Sequence, residues 1–182
     1  MIMRYQEYYN RIGKTILSYK KIQNKIKELA NQINKDYRES DVVLISNLKG
    51  SFRFLADLVS YLKIPTIIDF IAFTSYTGTK RKNEVRIIKD LKINVKNKRV
   101  IVVEDIIDTG YTVDFILKYL FDFKHPLEVK ICTLLDKPSK REIEVPVDYR
   151  GFIIPDIFVI GYGLDYKEYF RELNDIVEYK ED

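Results

Sequence analysis

A single cysteine and a single histidine among 182 residues close off two kinds of chemistry at the outset. One cysteine, Cys132, cannot form an intrachain disulfide, and its apolar surroundings read as a buried thiol. One histidine, His125, stands just before Pro126 and reads as a loop residue rather than a catalytic one. No apolar run approaches the ~20 residues of a membrane span. The opening Met-Ile-Met-Arg-Tyr-Gln-Glu lacks the charged-then-apolar order of a signal peptide. The expectation is a cytoplasmic protein with no membrane partner. Neither G-x-G-x-x-G nor G-x-x-x-x-G-K-[ST] occurs, so the generic dinucleotide and Walker loops are absent. No internal repeat or low-complexity segment is evident. The net charge of +4 allows an anionic ligand but is too small to argue for nucleic-acid binding.

What remains is ordinary globular composition, 46% hydrophobic and 32% charged. The length suits one domain over residues 1–182, and a chain of this size buries about 70% of its unfolded surface.

The stretch around which the chain is organised is Val100-Ile-Val-Val-Glu-Asp-Ile-Ile-Asp-Thr-Gly-Tyr-Thr112. Four β-branched residues in a row read as a strand buried on both faces. The chain then turns through Asp108, Thr109, Gly110 and Thr112 and enters a helical pattern from Val113. Unpaired N–H groups at a helix start favour an anion, Gly110 permits close approach, and the threonine hydroxyls add donors. Glu104 and Asp105 would repel a bare phosphate. They make sense if the phosphate carries a sugar whose hydroxyls donate to them.

Elsewhere, Ser18 reads as the N-cap of a helix carrying Ile22, Ile26, Leu29, Ala30 and Ile33 on one face. Residues 1–17 show no clear period. Val42–Ile45 is a buried strand, Leu48-Lys-Gly-Ser51 a turn, and Phe52, Leu55, Ala56, Val59 and Leu62 mark a helix. Pro65 opens a strand to Ala72. Residues 74–84 form a long polar, basic loop, and loops of that length tend to be functional. Val85–Leu91 is a candidate returning strand and Val129–Leu135 another buried one. Residues 139–157 look irregular, Phe158–Gly161 reads as the last short strand, and a polar tail follows. Strands alternating with helices predict an α/β sheet, largely parallel, with ligands at the carboxyl ends of its strands. The glycine turns 48–51 and 108–112 should therefore open on one crevice. Lys137, at a strand end, is awkward unless its tip reaches a ligand or solvent.

Taken whole, [apolar]4-Glu-Asp-x-x-Asp-Thr-Gly-x-Thr resembles the phosphoribosyl-pyrophosphate (PRPP) motif of type I phosphoribosyltransferases. With Leu48–Ser51, Lys130–Pro138 and Gly151–Arg171, the chain resembles the hypoxanthine-guanine branch of that family from about Ser18 to Val177. The resemblance implies the family's α/β fold, with a central, mostly parallel sheet, a flexible lid loop and a small hood from the two terminal segments. It implies transfer of 5-phosphoribosyl from PRPP to hypoxanthine or guanine, giving IMP or GMP and pyrophosphate, with Mg²⁺ as cofactor. It also implies a homodimer or homotetramer.

By the same resemblance, Thr109, Gly110, Tyr111 and Thr112 would hold the 5′-phosphate, and Glu104 and Asp105 the ribose hydroxyls, directly or through the metal. Lys49, Gly50 and Arg171 would meet the pyrophosphate, with a non-proline cis peptide at Leu48–Lys49. Asp165 would bind the metal and lie beside the purine. Phe158 would stack on the base, the Val159 backbone would read its edge, and Lys137 would donate to its 6-oxo group. Asp108 would take the proton from N7. Ser75 and Tyr76 belong to the lid. Two departures from the family stand out: Asn47, where an apolar residue is usual, and Lys80-Arg-Lys82 in the lid. A different class, a regulatory RNA-binding protein on this fold, would call for a broad basic face and no purine site.

Overall fold

The computed structural model describes residues 2–78 and 81–181, and the side chains of residues 5–73 and 87–181. In chain order the elements are α1 (Ile2–Tyr9), β1 (Ile12–Leu17), α2 (Tyr19–Asp36), β2 (Val42–Asn47), α3 (Phe52–Ser60), β3 (Thr66–Gly78) and β4 (Arg81–Lys89). They continue with β5 (Arg99–Ile107), α4 (Tyr111–Tyr119), β6 (Glu128–Asp136), β7 (Tyr149–Ile153), β8 (Val159–Ile160) and β9 (Ile176–Tyr179). A π-helical turn at Leu120–Lys124 extends α4, and a 3₁₀ turn occupies Pro138–Lys140.

A six-stranded sheet runs β4-β3-β2-β5-β6-β7. All its pairs are parallel except β3–β4. The β-branched run of β5 does what its sequence predicts. Alternate side chains point to opposite faces of a strand, so Ile101 and Val103 join the core under α2 and α3. Val100 and Val102 join a second core with Val113 and Ile116 of α4. On α2, Ile22, Ile26, Leu29, Ala30 and Ile33 are all buried. Each large aliphatic among them contributes about 1.5–3 kcal/mol through burial.

Ser18 stands at the N-cap of α2 with extended backbone, but its side chain makes no capping bond. The Tyr19 N–H instead donates to Asp175 Oδ1 at 2.8 Å, which ties the helix to the C-terminal segment. That segment builds a second, three-stranded sheet, β1-β9-β8, both of its pairs antiparallel. With α1 it forms the hood, cored by Ile160, Phe170, Val177 and Tyr179 and flanked by Tyr5, Tyr8, Tyr166 and Tyr169.

Four expectations are corrected. Residues 1–17 hold α1 and β1, and the irregular stretch 139–157 holds β7 at the sheet edge. The polar tail contains β9, so Phe158–Gly161 is not the last strand. The long loop 74–84 is mostly the two arms of the β3–β4 hairpin, with Thr74, Ser75 and Tyr76 paired to Arg86, Val85 and Glu84. All four segments are short or polar. In the strands among them, backbone bonds are made to partners distant in sequence or across a hairpin, which hydrophobic periodicity does not register. Lys80 lies outside the described residues, as do the side chains of Ser75, Tyr76, Arg81 and Lys82.

Candidate active site

In the six-stranded sheet the chain passes from β2 to β3 on one side and later to β5 on the other. This reversal at β2/β5 leaves a crevice at the strands' carboxyl ends, where open α/β sheets bind ligands. The two glycine turns meet there. Val43–Ser46 of β2 pair with Val100–Val103 of β5, so the turn at 48–51 and the loop at 104–110 leave the sheet side by side.

A cavity of about 240 Å³ at this point is lined by Asn47, by residues 104–110, and by Thr112 and Val113. Its floor is the start of α4, whose first N–H groups carry no side-chain cap. Such a helix start presents free donors at the positive end of the dipole. Gly110 sits at φ 95°, and a Cβ there would lie 2.3 Å from the Ile143 carbonyl oxygen, so only glycine fits. The Thr109 carbonyl accepts from the N–H groups of Glu142 (2.9 Å) and Ile143 (3.0 Å), which brace the loop from behind. Thr109, Gly110 and Thr112 line the cavity. Tyr111 does not: its ring is 41% exposed and its hydroxyl faces Glu142.

Glu104 is 3% exposed, and its Oε1 is buried without a partner. Burial, reinforced by the neighbouring Asp105, pushes its carboxyl well above the usual range. Burial also lifts Asp105, to about 6, against backbone N–H donors and the Arg171 guanidinium. A buried acid beside a half-buried one calls for hydroxyl donors or a cation. Gly50 exists to admit one of them, because a Cβ there would fall 1.6 Å from Asp105 Oδ2. The Leu48–Lys49 peptide is cis, as the resemblance implies.

Lys49 and Arg171 converge on one carboxylate, Glu168. Lys49 Nζ lies 2.9 Å and Arg171 Nη2 3.3 Å from its Oε2, and these cations, Lys49 first, hold Glu168 below its ordinary pKa. Arg171 also pairs with Asp165 Oδ1 at 2.8 Å, while Asp165 Oδ2 accepts the Glu168 N–H. The Gly163 carbonyl accepts from Arg171 Nη1, and a Cβ on Gly163 would lie 2.2 Å from the Gly50 carbonyl oxygen. This close approach seats the hood on the 48–51 turn.

Lys137 is 4% exposed, its N–H bonded to the Ile107 carbonyl. Its Nζ lies 4.0 Å from Asp108 Oδ2 and 3.6 Å from Asp156 Oδ1. Asp108 keeps Oδ1 buried and unpartnered, and its Oδ2 takes Lys140 at 2.9 Å. Two residues beyond Asp156, Phe158 is 37% exposed, and its ring is backed edge-on by Tyr166 and Tyr179. Val159 is buried and paired to Glu178, which holds that segment in the hood sheet.

Several residues at the site have no part in the motif reading. Arg53 donates to the carbonyls of Arg171, Glu172 and Leu173 and lies 4.8 Å over the Tyr162 ring, tying α3 to the hood. Nothing local in the sequence marks it. Lys140 follows Lys137 by three, and Glu168 lies three from both Asp165 and Arg171, so spacing alone could have flagged both. Among the described residues no three acidic, histidine or cysteine side chains close on one point as a metal cage. The donors present are hard carboxylate oxygens, which suit an ion that keeps waters and shares a substrate's phosphates.

Comparison with known proteins agrees with this geometry. Residues 13–167 match the family model described as phosphoribosyl transferase domain. The hypoxanthine phosphoribosyltransferase of Haemophilus influenzae is 46% identical over 162 residues, covering 87% of this chain and 90% of its own. The crystal structure of a hypoxanthine-guanine phosphoribosyltransferase from Bacillus anthracis superposes with a TM-score of 0.88 at 44% identity, covering 93% of this chain and 99% of that one. A variant of the Trypanosoma cruzi hypoxanthine phosphoribosyltransferase, solved with its product IMP, gives 0.85 at 36% identity over 93% and 91%. With motif, fold and site geometry in agreement, the chain belongs to the phosphoribosyl transferase family, in its hypoxanthine-guanine branch.

Proposed function

We propose that the protein transfers the 5-phosphoribosyl group of PRPP to N9 of hypoxanthine or guanine. The sugar carbon's bond to pyrophosphate breaks, the bond to N9 forms, and the purine's N7 proton leaves. The observation that carries this reading is that Asp108 belongs at once to the phosphate loop and to the Lys137 cluster. A sugar phosphate on the loop and a base beside Lys137 would then share one carboxylate.

In this reading Thr109, Gly110 and Thr112, with the amides of the α4 start, hold the 5′-phosphate, while Glu104 and Asp105 accept from the ribose hydroxyls. Lys49, Gly50 and Arg171 receive the pyrophosphate and steady the charge it carries away. Lys137 donates to the 6-oxo group, where adenine's amino group would present donor to donor. A buried polar group left unpaired that way rejects the wrong substrate strongly. Phe158 stacks on the ring, and Asp108 takes the N7 proton as N9 attacks. Glu104, Asp105 and Asp165 would hold Mg²⁺, whose contribution is to neutralise charge on the departing pyrophosphate. We place the enzyme in the cytoplasm, in keeping with its one buried thiol. No helix of the described residues is long and apolar enough to cross a membrane.

Incubation with PRPP, Mg²⁺ and each purine separately, with the products identified by mass, tests the reading. IMP and GMP are expected, and AMP is not. No nucleotide from any purine would overturn it.

A further inference from the structure

Asn47 ends β2 at the point where the sheet reverses. Its Nδ2 lies 3.4 Å from Glu104 Oε2, and among the described residues this is the only hydrogen bond that carboxylate receives. Two oxygens are left over, Asn47 Oδ1 and Glu104 Oε1, both buried and both without a partner. Their residues line the same cavity as Asp108, Thr109 and Thr112. The backbone of Asn47 is fixed as well: its carbonyl accepts from the Ser51 hydroxyl, which lies 2.6 Å from the buried Ser46 hydroxyl.

A buried carboxylate without donors would turn until it found one. A carboxamide holding one of its oxygens leaves the other facing a set direction. We propose that Asn47 is a positioning residue for the sugar half of the substrate. Its amide holds Glu104 Oε2, which leaves Glu104 Oε1 as the acceptor for a sugar hydroxyl. An apolar residue here could not supply that donor. The inference rests on the reading above, in which Glu104 faces the ribose.

The near-isosteric Asn47→Leu removes both polar atoms and keeps the volume. Leaving a buried polar group without its partner is costly, so the dissociation constant for PRPP, read by calorimetry, should rise about tenfold or more. The KM for hypoxanthine should stay within about twofold, a split that a general structural defect would not give. If Asn47 works through Glu104, adding Asn47→Leu to Glu104→Gln should weaken PRPP binding by less than about twofold more. Should the leucine variant not fold, Asn47→Ala, which asks for no extra room, carries the same measurements. Unchanged PRPP binding, an equal rise in the hypoxanthine KM, or fully multiplicative effects with Glu104→Gln would each overturn the role. A parent protein that neither binds PRPP nor makes nucleotide would instead sink the proposed function, so the two failures are distinguishable.

Discussion

Lys137, only 4% exposed, holds its ammonium 4.0 Å from the carboxylate of Asp108, which lines the cavity. Lys137 directly follows β6 as Asp108 follows β5, and those two strands are paired along almost their whole length, Ile107 opposite Asp136. The register of one parallel pair therefore delivers the proposed base and the proposed purine-reading cation to the same place. Asp156 and Lys140 complete a four-charge cluster of two acids and two lysines, so Lys137 is held ready without a ligand.

If Asp108 is the general base, Asp108→Asn should lower kcat by about 10²–10⁴-fold. The PRPP dissociation constant should barely move, because the amide keeps the loop's shape. Turnover and calorimetric binding measured on one preparation decide it. Equal losses in both would make Asp108 a binding residue.

Lys137→Met keeps the apolar stem of the side chain and deletes its charge. Loss of a charge-assisted hydrogen bond should raise the KM for hypoxanthine and guanine by about 10–100-fold, with PRPP affinity within about twofold. Unchanged purine kinetics would remove the 6-oxo contact from the mechanism.

Gly50→Ala places a methyl group only 1.6 Å from Asp105 Oδ2, so one of the two must yield. PRPP turnover should fall at least about tenfold, while the melting temperature drops by only a few degrees, because the group that must yield is the end of a side chain and not backbone. Wild-type kinetics would show that Asp105 can vacate its place at no cost to the reaction.

Asp69, at the base of the β3–β4 hairpin, gives a pH-dependent prediction. Burial raises its pKa, but the N–H groups of Ile93, Phe70 and Lys92 and the Lys89 ammonium outweigh burial and bring the net value below normal. A carboxyl more acidic when folded than unfolded stabilises the protein above its unfolded pKa of about 3.9, and that stability is lost as pH falls through the folded value. Asp69→Asn should therefore cost about 1–3 kcal/mol at pH 7. The gap to wild type should narrow as pH falls below about 4. Denaturant melts across that range measure it, and a gap independent of pH would refute the charge argument.

The legible parts of the site are those whose chemistry is local. The run Val100–Val103 reads as a doubly buried strand because both faces of the sheet are covered, and Gly110 reads as a turn because its φ and its neighbours admit nothing larger. Asp108, Thr109 and Thr112 follow from the helix start they occupy. Arg53, Asp156 and the Asn47–Glu104 bond are illegible for one common reason. Each acts on partners 16 or more residues away along the chain, through contacts created only when the chain folds.

Sequence by itself determined the strand–loop–helix that can grip a sugar phosphate, the carboxylates set above it, and the family to which those residues point. The three-dimensional arrangement alone decided that Lys49 and Arg171 share Glu168, that Gly163 seats the hood against Gly50, and that Asn47 holds Glu104. The physical reason is that hydrophobic period and turn chemistry are written within a few residues. The direction of a buried polar side chain is set instead by whichever donor or acceptor folding brings within about 3 Å of it.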